Sequence, residues 1–174
     1  MEYTFTLKYQ LSPWDINLDE LVERLGADGC DDALTGIGLP GRLALLFTRE
    51  APCARDAILS ALADVRRIAP SAQLIEATPD FVGLTDVAET VGMTRQNMRK
   101  LMISHSASFP VPVHDGAASV WHLADVLAGL AERGSYDLDP TLVEVANTTM
   151  QVNLARSVRR LRPDFRQELT ELVA

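Results

Sequence analysis

The sequence predicts an α+β chain in three parts: a βαββαβ unit over residues 1–79, a helix-turn-helix with a small hairpin over 80–136, and a helical stretch over 137–174. Three observations predict it. Period-two alternation and helical-period apolar faces follow one another through the first eighty residues. The stretch from Leu84 to Leu101 sets a glycine turn between two short helical patterns. Asp139-Pro140 then opens a long run with apolar residues at helical spacing, broken at Pro163.

Taken in order, Tyr3, Phe5, Leu7 and Tyr9 alternate with Thr4, Thr6 and Lys8, a half-buried strand. Asn17 caps a helix with Glu20 as its capping-box partner; Leu18, Leu21, Val22 and Leu25 form its apolar face and Gly26 ends it. Asp32–Ile37 and Arg42–Thr48 read as strands joined by a Gly/Pro turn. Pro52 starts a second helix, with Ile58, Ala61, Leu62, Val65 and Ile68 on one face. Gln73–Ala77 is a last strand. This order is the ferredoxin-like split βαβ pattern. Residues 76–80, Glu-Ala-Thr-Pro-Asp, form the expected domain boundary. Beyond Gly134–Asp137, a helix runs from Thr141 to about Arg162 with Leu142, Val145, Ala146, Met150, Leu154, Val158 and Leu161 along one side. That line reads as a dimerisation arm, since a two-fold copy is the simplest partner for it. Packing back on the chain's own first unit is the alternative.

The central stretch carries the chemistry. A first helix is expected through Asp86–Val91, a left-handed turn at Gly92 and a second helix from Thr94, its N-cap. Val87, Val91, Met93, Met98 and Leu101 supply the contact between the helices. The outward face of the second helix then holds Arg95, Gln96, Asn97, Arg99 and Lys100. Those side-chain types suit double-stranded DNA: arginine pairs with guanine, asparagine or glutamine with adenine, and further cations neutralise phosphate. An ordinary helical hairpin with a solvated face is the plainer reading.

Phe109–Val113 and Ala118–Trp121 read as two short strands around the turn at His114–Ala117, and a helix resumes through Leu123, Val126, Leu127 and Leu130. Through Leu84-Thr85-Asp86-Val87-Ala88, Gly92-Met93-Thr94-Arg95, Phe109-Pro110, and Trp121 with Ala124-Asp125-Val126, about a third of the chain resembles the winged helix-turn-helix domains of the MerR and phage-excisionase type. The resemblance implies a bacterial DNA-binding domain, with the second helix in the major groove and the hairpin as a wing. Where that family often has a wing arginine, this chain has His114, Asp115 and Ser119. The DNA-contact set expected is therefore Thr94, Arg95, Gln96, Asn97, Arg99 and Lys100, with His105 after the helix and His114 on the wing.

The chain has 174 residues and a net charge of −8, unusual for a DNA binder. The charge is unevenly spread: residues 1–80 hold 13 acids and 7 bases, whereas no acid lies between Glu89 and Asp115. A locally basic helix on an acidic chain implies weak, salt-sensitive nonspecific binding. The first ten residues lack the pattern of a signal peptide, and the longest clean apolar run, Leu43–Phe47, is too short to span a bilayer. A cytoplasmic location is the expectation, with Cys30 and Cys53 as buried thiols.

Other motifs carry less. Gly36-Ile-Gly-Leu-Pro-Gly41 matches a dinucleotide fingerprint by letter, yet a strand follows where a helix must open, so a hairpin turn is expected. His105, His114 and His122 have no ligand partner at metal-binding spacing. Asp31-Asp32 reads as a solvated pair at the start of a strand. Arg156, Arg159, Arg160, Arg162 and Arg166 read either as a phosphate strip or as the outer face of a dimer helix paired with Glu144, Asp164 and Glu168; the interleaved acids favour the second. No cofactor, metal or enzymatic site is expected. The reading is a transcriptional regulator acting as a homodimer, whose first unit senses a small molecule or binds a partner protein. The alternative is a protein-interaction adaptor, such as an antitoxin or assembly factor.

Overall fold

The computed structural model describes residues 1–13, 17–134 and 136–173. The fold is mixed α+β, with a four-stranded antiparallel sheet and seven helices among the described residues. The first unit runs β1 (Glu2–Gln10), α1 (Leu18–Ala27), β2 (Ala33–Ile37), β3 (Arg42–Glu50), α2 (Ala54–Ile68) and β4 (Gln73–Thr78). The sheet order is β2-β3-β1-β4, so the two nine-residue strands lie at its centre. Alternation puts Tyr3, Phe5, Leu7 and Tyr9 of β1 on the same buried face as Leu43, Leu45 and Phe47 of β3. Register sets Phe5 opposite Phe47, and their rings stack at 5.3 Å. Helices α1 and α2 cover that face with Leu21 and Leu25, and with Ala57, Ile58, Ala61 and Val65. Asn17 caps α1 as expected, its side chain accepting from Glu20 N–H.

Several local expectations need correction. Helix α1 runs through Gly26 to Ala27, and the chain turns instead at Gly29, whose φ is +114°. The Asp31-Asp32 pair is only half the solvated feature expected. Asp32 accepts from Arg49 Nε at 2.6 Å and from Nη2 at 3.0 Å, while Asp64 accepts from Nη1 at 2.9 Å. Arg49 shares the inward face of β3 with Phe47, so its guanidinium needs acids where β2, β3 and α2 meet; these partners raise its pKa further. The glycine-rich stretch is the hairpin turn between β2 and β3, with Gly41 at φ +75°. Cys30 is buried, but Cys53 is only partly so.

The second unit runs β5 (Phe81–Val82), α3 (Leu84–Thr90), α4 (Arg95–Ser104), β6 (Trp121–His122) and α5 (Leu123–Ala131). Its core gathers Val82, Val87, Ala88, Met98, Phe109, Trp121, Leu123, Val126, Leu127 and Leu130. The expected pairing of Phe109–Val113 with Ala118–Trp121 does not form as a ladder. An isolated bridge at His114–Val120 stands in place of a ladder, and Trp121 and His122 pair with Val82 and Phe81 instead. Pro110 and Pro112 have no N–H to donate, which removes alternate rungs of such a ladder.

Helix α6 (Pro140–Val158) and helix α7 (Pro163–Leu172) complete the chain. Asp139 caps α6, accepting from Thr141 N–H at 2.9 Å, and α6 stops at Val158, short of the expected Arg162. Successive helical residues point about 100° apart at 3.6 per turn. Val145 therefore enters the first core while its neighbour Ala146 enters the second. Leu142, Val143 and Met150 also pack on the second core, and Val152 on the first. The first half of the line read as a dimer arm is thus consumed within the chain. Glu144, expected to pair with the arginines, instead accepts from Tyr3 hydroxyl at 3.1 Å and from Ala54 N–H at 3.2 Å, at the N-terminus of α2.

The expected domain boundary at residues 76–80 is a buried to half-buried junction. Thr78–Pro79 is a cis peptide, and Asp80 is 1% exposed. Asp80 Oδ1 lies 2.6 Å from His122 Nδ1, and Oδ2 accepts from Asn153 Nδ2 at 2.7 Å. Asn153 also pairs with both backbone groups of Ala77, donating to its carbonyl at 2.8 Å and accepting from its N–H at 2.9 Å. Thr149 donates to Pro79 O at 2.6 Å, and Leu123 N–H to Asp80 O at 2.7 Å. Asp80 and Asn153 together thereby tie β4, the start of α5 and the second half of α6.

Candidate nucleic-acid interface

Helix α3 starts where Asp86 reaches back to accept from Gly83 N–H at 2.8 Å. It ends at a turn closed by Met93 N–H donating to Ala88 O at 2.7 Å, with Gly92 at φ +67°. Thr94 then caps α4, its hydroxyl accepting from Asn97 N–H at 3.2 Å. Met98 is wholly buried against Val87 and Ala88, and this anchor fixes which way the rest of α4 faces. Thr94, Arg95, Gln96, Asn97, Arg99 and Lys100 are all exposed. Arg95 and Arg99 stand one turn apart, as do Gln96 and Lys100.

The electrostatics of this face are unfavourable to the free helix. Helix α4 has no acid in its first turn and carries Arg95 at its first position, where the helix dipole disfavours a cation. Arg95 and Arg99 repel at i,i+4, costing a few tenths of a kcal/mol. None of the five outward side chains hydrogen-bonds or ion-pairs with any described residue. An external polyanion relieves both costs.

The two expected histidines lie elsewhere. His105 is the C-cap of α4, its Nδ1 3.2 Å from Leu101 O, about 16 Å along the helix from Thr94 at 1.5 Å per residue. His114 sits in the loop between α4 and β6, its ring over Gly116, where an added Cβ would come 2.5 Å from Nε2. Sequence reasoning missed what lies between them: a groove of about 460 Å³ lined by Met102, Ile103, Phe109, Pro110, Val111 and Trp121, with Asp115 and Ser119 on its rim. Trp121 is held there by donating to Pro110 O at 3.0 Å and by an edge contact with Phe109. Exposed Ile103, on the outward side of an otherwise polar helix face, was the available signal. His122, read as a helix-start residue, does precede α5, but its ring is buried at the junction.

Among the described residues no group of histidine, cysteine and acids is arranged to hold a metal ion, and no helix is long and apolar enough to cross a membrane. No protein-family model, curated protein or solved structure matches the chain.

Proposed function

We propose that this chain is a sequence-specific binder of double-stranded DNA, a transcriptional regulator of bacterial type acting as a homodimer. In this reading the first unit is a ferredoxin-like domain, and residues 80–136 form a winged helix-turn-helix with α4 as the reading helix. The observation that carries it is the unpartnered face of α4, where cations stand against the helix dipole with no acid to offset them. Arg95, Gln96 and Asn97 read bases; Arg99 and Lys100 add groove and phosphate contacts. His105 and His114 are at most peripheral, since they lie at the other end of α4 and on the wing.

A gel shift on genomic fragments, at low and at physiological salt, tests this. Arg95→Ala should cost about 1–3 kcal/mol and relax preference at one base pair. Lys100→Ala should weaken all sequences alike and reduce the salt slope by about one. Wild-type binding by both variants would remove α4 as the reader. The adaptor reading is favoured by one observation: the groove beside α4 is apolar and its wing carries no lysine or arginine, a surface suited to protein rather than phosphate. No shift on any fragment at low salt would turn the choice to that reading.

A further inference from the structure

We infer that two copies of the chain associate antiparallel through the segment from Leu154 to Val173. This rests on the dimeric half of the reading above and is independent of its DNA half. Beyond the junction, α6 turns Leu154 and Val158 outward; both are exposed, as is Leu161 after the helix, and Phe165 and Leu172 of α7 continue the stripe. Every described side chain of α7 is exposed except Leu169, which is half-buried. A ten-residue helix is marginal in water without tertiary cover. Taking about 150 Å² for a fully exposed large side chain, the stripe and Val173 offer roughly 500 Å² per copy, against about 800 Å² per partner in a standard interface. The arginine stems beside it supply more.

Charge selects the occupant and its direction. Arg156, Arg159, Arg160 and Arg162 form a basic belt, whereas the following residues 163–172 hold three acids and one arginine. Only the Arg162–Asp164 pair joins the two stretches among the described residues, and Arg156 Nε is buried without a partner. Parallel copies would set belt against belt. Antiparallel copies set each belt against the acidic helix of the other. A two-fold axis near Pro163 then brings Leu161 against Phe165 of the second copy and Leu154 against Leu172. The self-complementary pattern makes a second copy of this chain the partner.

Light scattering and sedimentation on the full chain without DNA test the inference, with circular dichroism confirming that each variant is folded. Wild type should be a dimer at micromolar concentration and Phe165→Asp a monomer. Arg159→Glu with Arg160→Glu should raise the dimer Kd by roughly tenfold or more, because like charges then face each other. Adding Glu168→Arg should recover affinity. A monomeric wild type would assign the stripe to a different protein and overturn the inference. So would a dimer that survives Phe165→Asp, or charge reversal without recovery, which would exclude the antiparallel arrangement. A failed gel shift by a dimer that responds in this way would sink only the DNA reading.

Discussion

Asp80→Ala is the substitution that most directly probes how the molecule is held together. The Asp80 carboxylate is fully out of solvent and holds two groups, His122 Nδ1 at 2.6 Å and Asn153 Nδ2 at 2.7 Å. Hydrogen bonds to a charged group are worth about 1.5–3 kcal/mol each. Removing the carboxylate also leaves a buried ring nitrogen without its partner, which costs about 1–3 kcal/mol. Asn153 keeps Ala77 as a partner, so the orphan is chiefly His122. We expect a loss of about 3–4 kcal/mol on these grounds, a large share of the roughly 5–15 kcal/mol typical of a domain. The assay is urea unfolding followed by far-ultraviolet circular dichroism and by fluorescence, in a Trp14→Phe background that leaves Trp121 as the reporter of the second core. In the parent the two signals should coincide, since α6 serves both cores. In Asp80→Ala the fluorescence transition should come at lower urea. The cycle with Asn153→Ala should show coupling of at least about 0.5 kcal/mol, as expected for contacting residues. Stability within about 0.5 kcal/mol of the parent, the range of an ordinary surface change, would refute the junction as a structural tie.

Two further outcomes are expected. Gly92→Ala should destabilise the second unit by about 1–2 kcal/mol, the cost of a Cβ in the left-handed region; at φ +67° nothing lies within 4 Å of the added atom, so backbone strain is the whole effect, and an unchanged midpoint in chemical unfolding would contradict it. With a thiol-specific disulfide reagent near pH 8, Cys53 should label in the native protein and Cys30 only on unfolding. Burial, followed by the nearby Asp64, pushes the Cys30 thiol up to about 11 from an ordinary value of 9.0. The folded state therefore keeps a proton that the unfolded state loses, and this contribution to stability is intact below about pH 9 and lost as pH rises through about 11. Two rapidly reacting native thiols would show that Cys30 is not buried.

Local periodicity made most elements legible. The β1 alternation, the Asn17, Thr94 and Asp139 caps, the Gly92 turn and the Pro163 restart are all short-range signals, and each appears where its residues place it. The second core was also readable through Val87 and Met98, whose spacing fixes the outward face of α4. What the sequence hid is long-range. Asp80 and Asn153 are 73 residues apart, and each alone looks like a surface residue beside a turn or on a helix. Asp32 and Arg49 likewise become a pair only once β2 lies beside β3. The apolar line of α6 was read correctly as a line needing cover. Its own first unit is one cover the stripe allows, and Val145 and Val152 pack there; what one stripe could not say is that Leu142, Ala146 and Met150 would be taken by a second core of the same chain.

That division of α6 bears on how the acidic charge is tolerated. The first eighty residues carry a balance of −6, and a flexible linker would let them swing away from DNA. The junction denies that freedom: Asp80, Asn153 and Thr149 fix β4 against α6, while Ala146 and Met150 fix α6 against the second core. On the DNA-binding reading, the acidic unit is held at one orientation relative to α4, and phosphate repulsion restrains the docking angle as well as weakening binding in a salt-sensitive way. The same rigidity would extend to the proposed dimer. Two copies joined through the segment from Leu154 to Val173 would present their α4 helices at a separation set by α6, and hence favour half-sites at one spacing, near a whole number of helical turns. A change at the first core would then alter operator choice by tilting α6, without touching α4 itself.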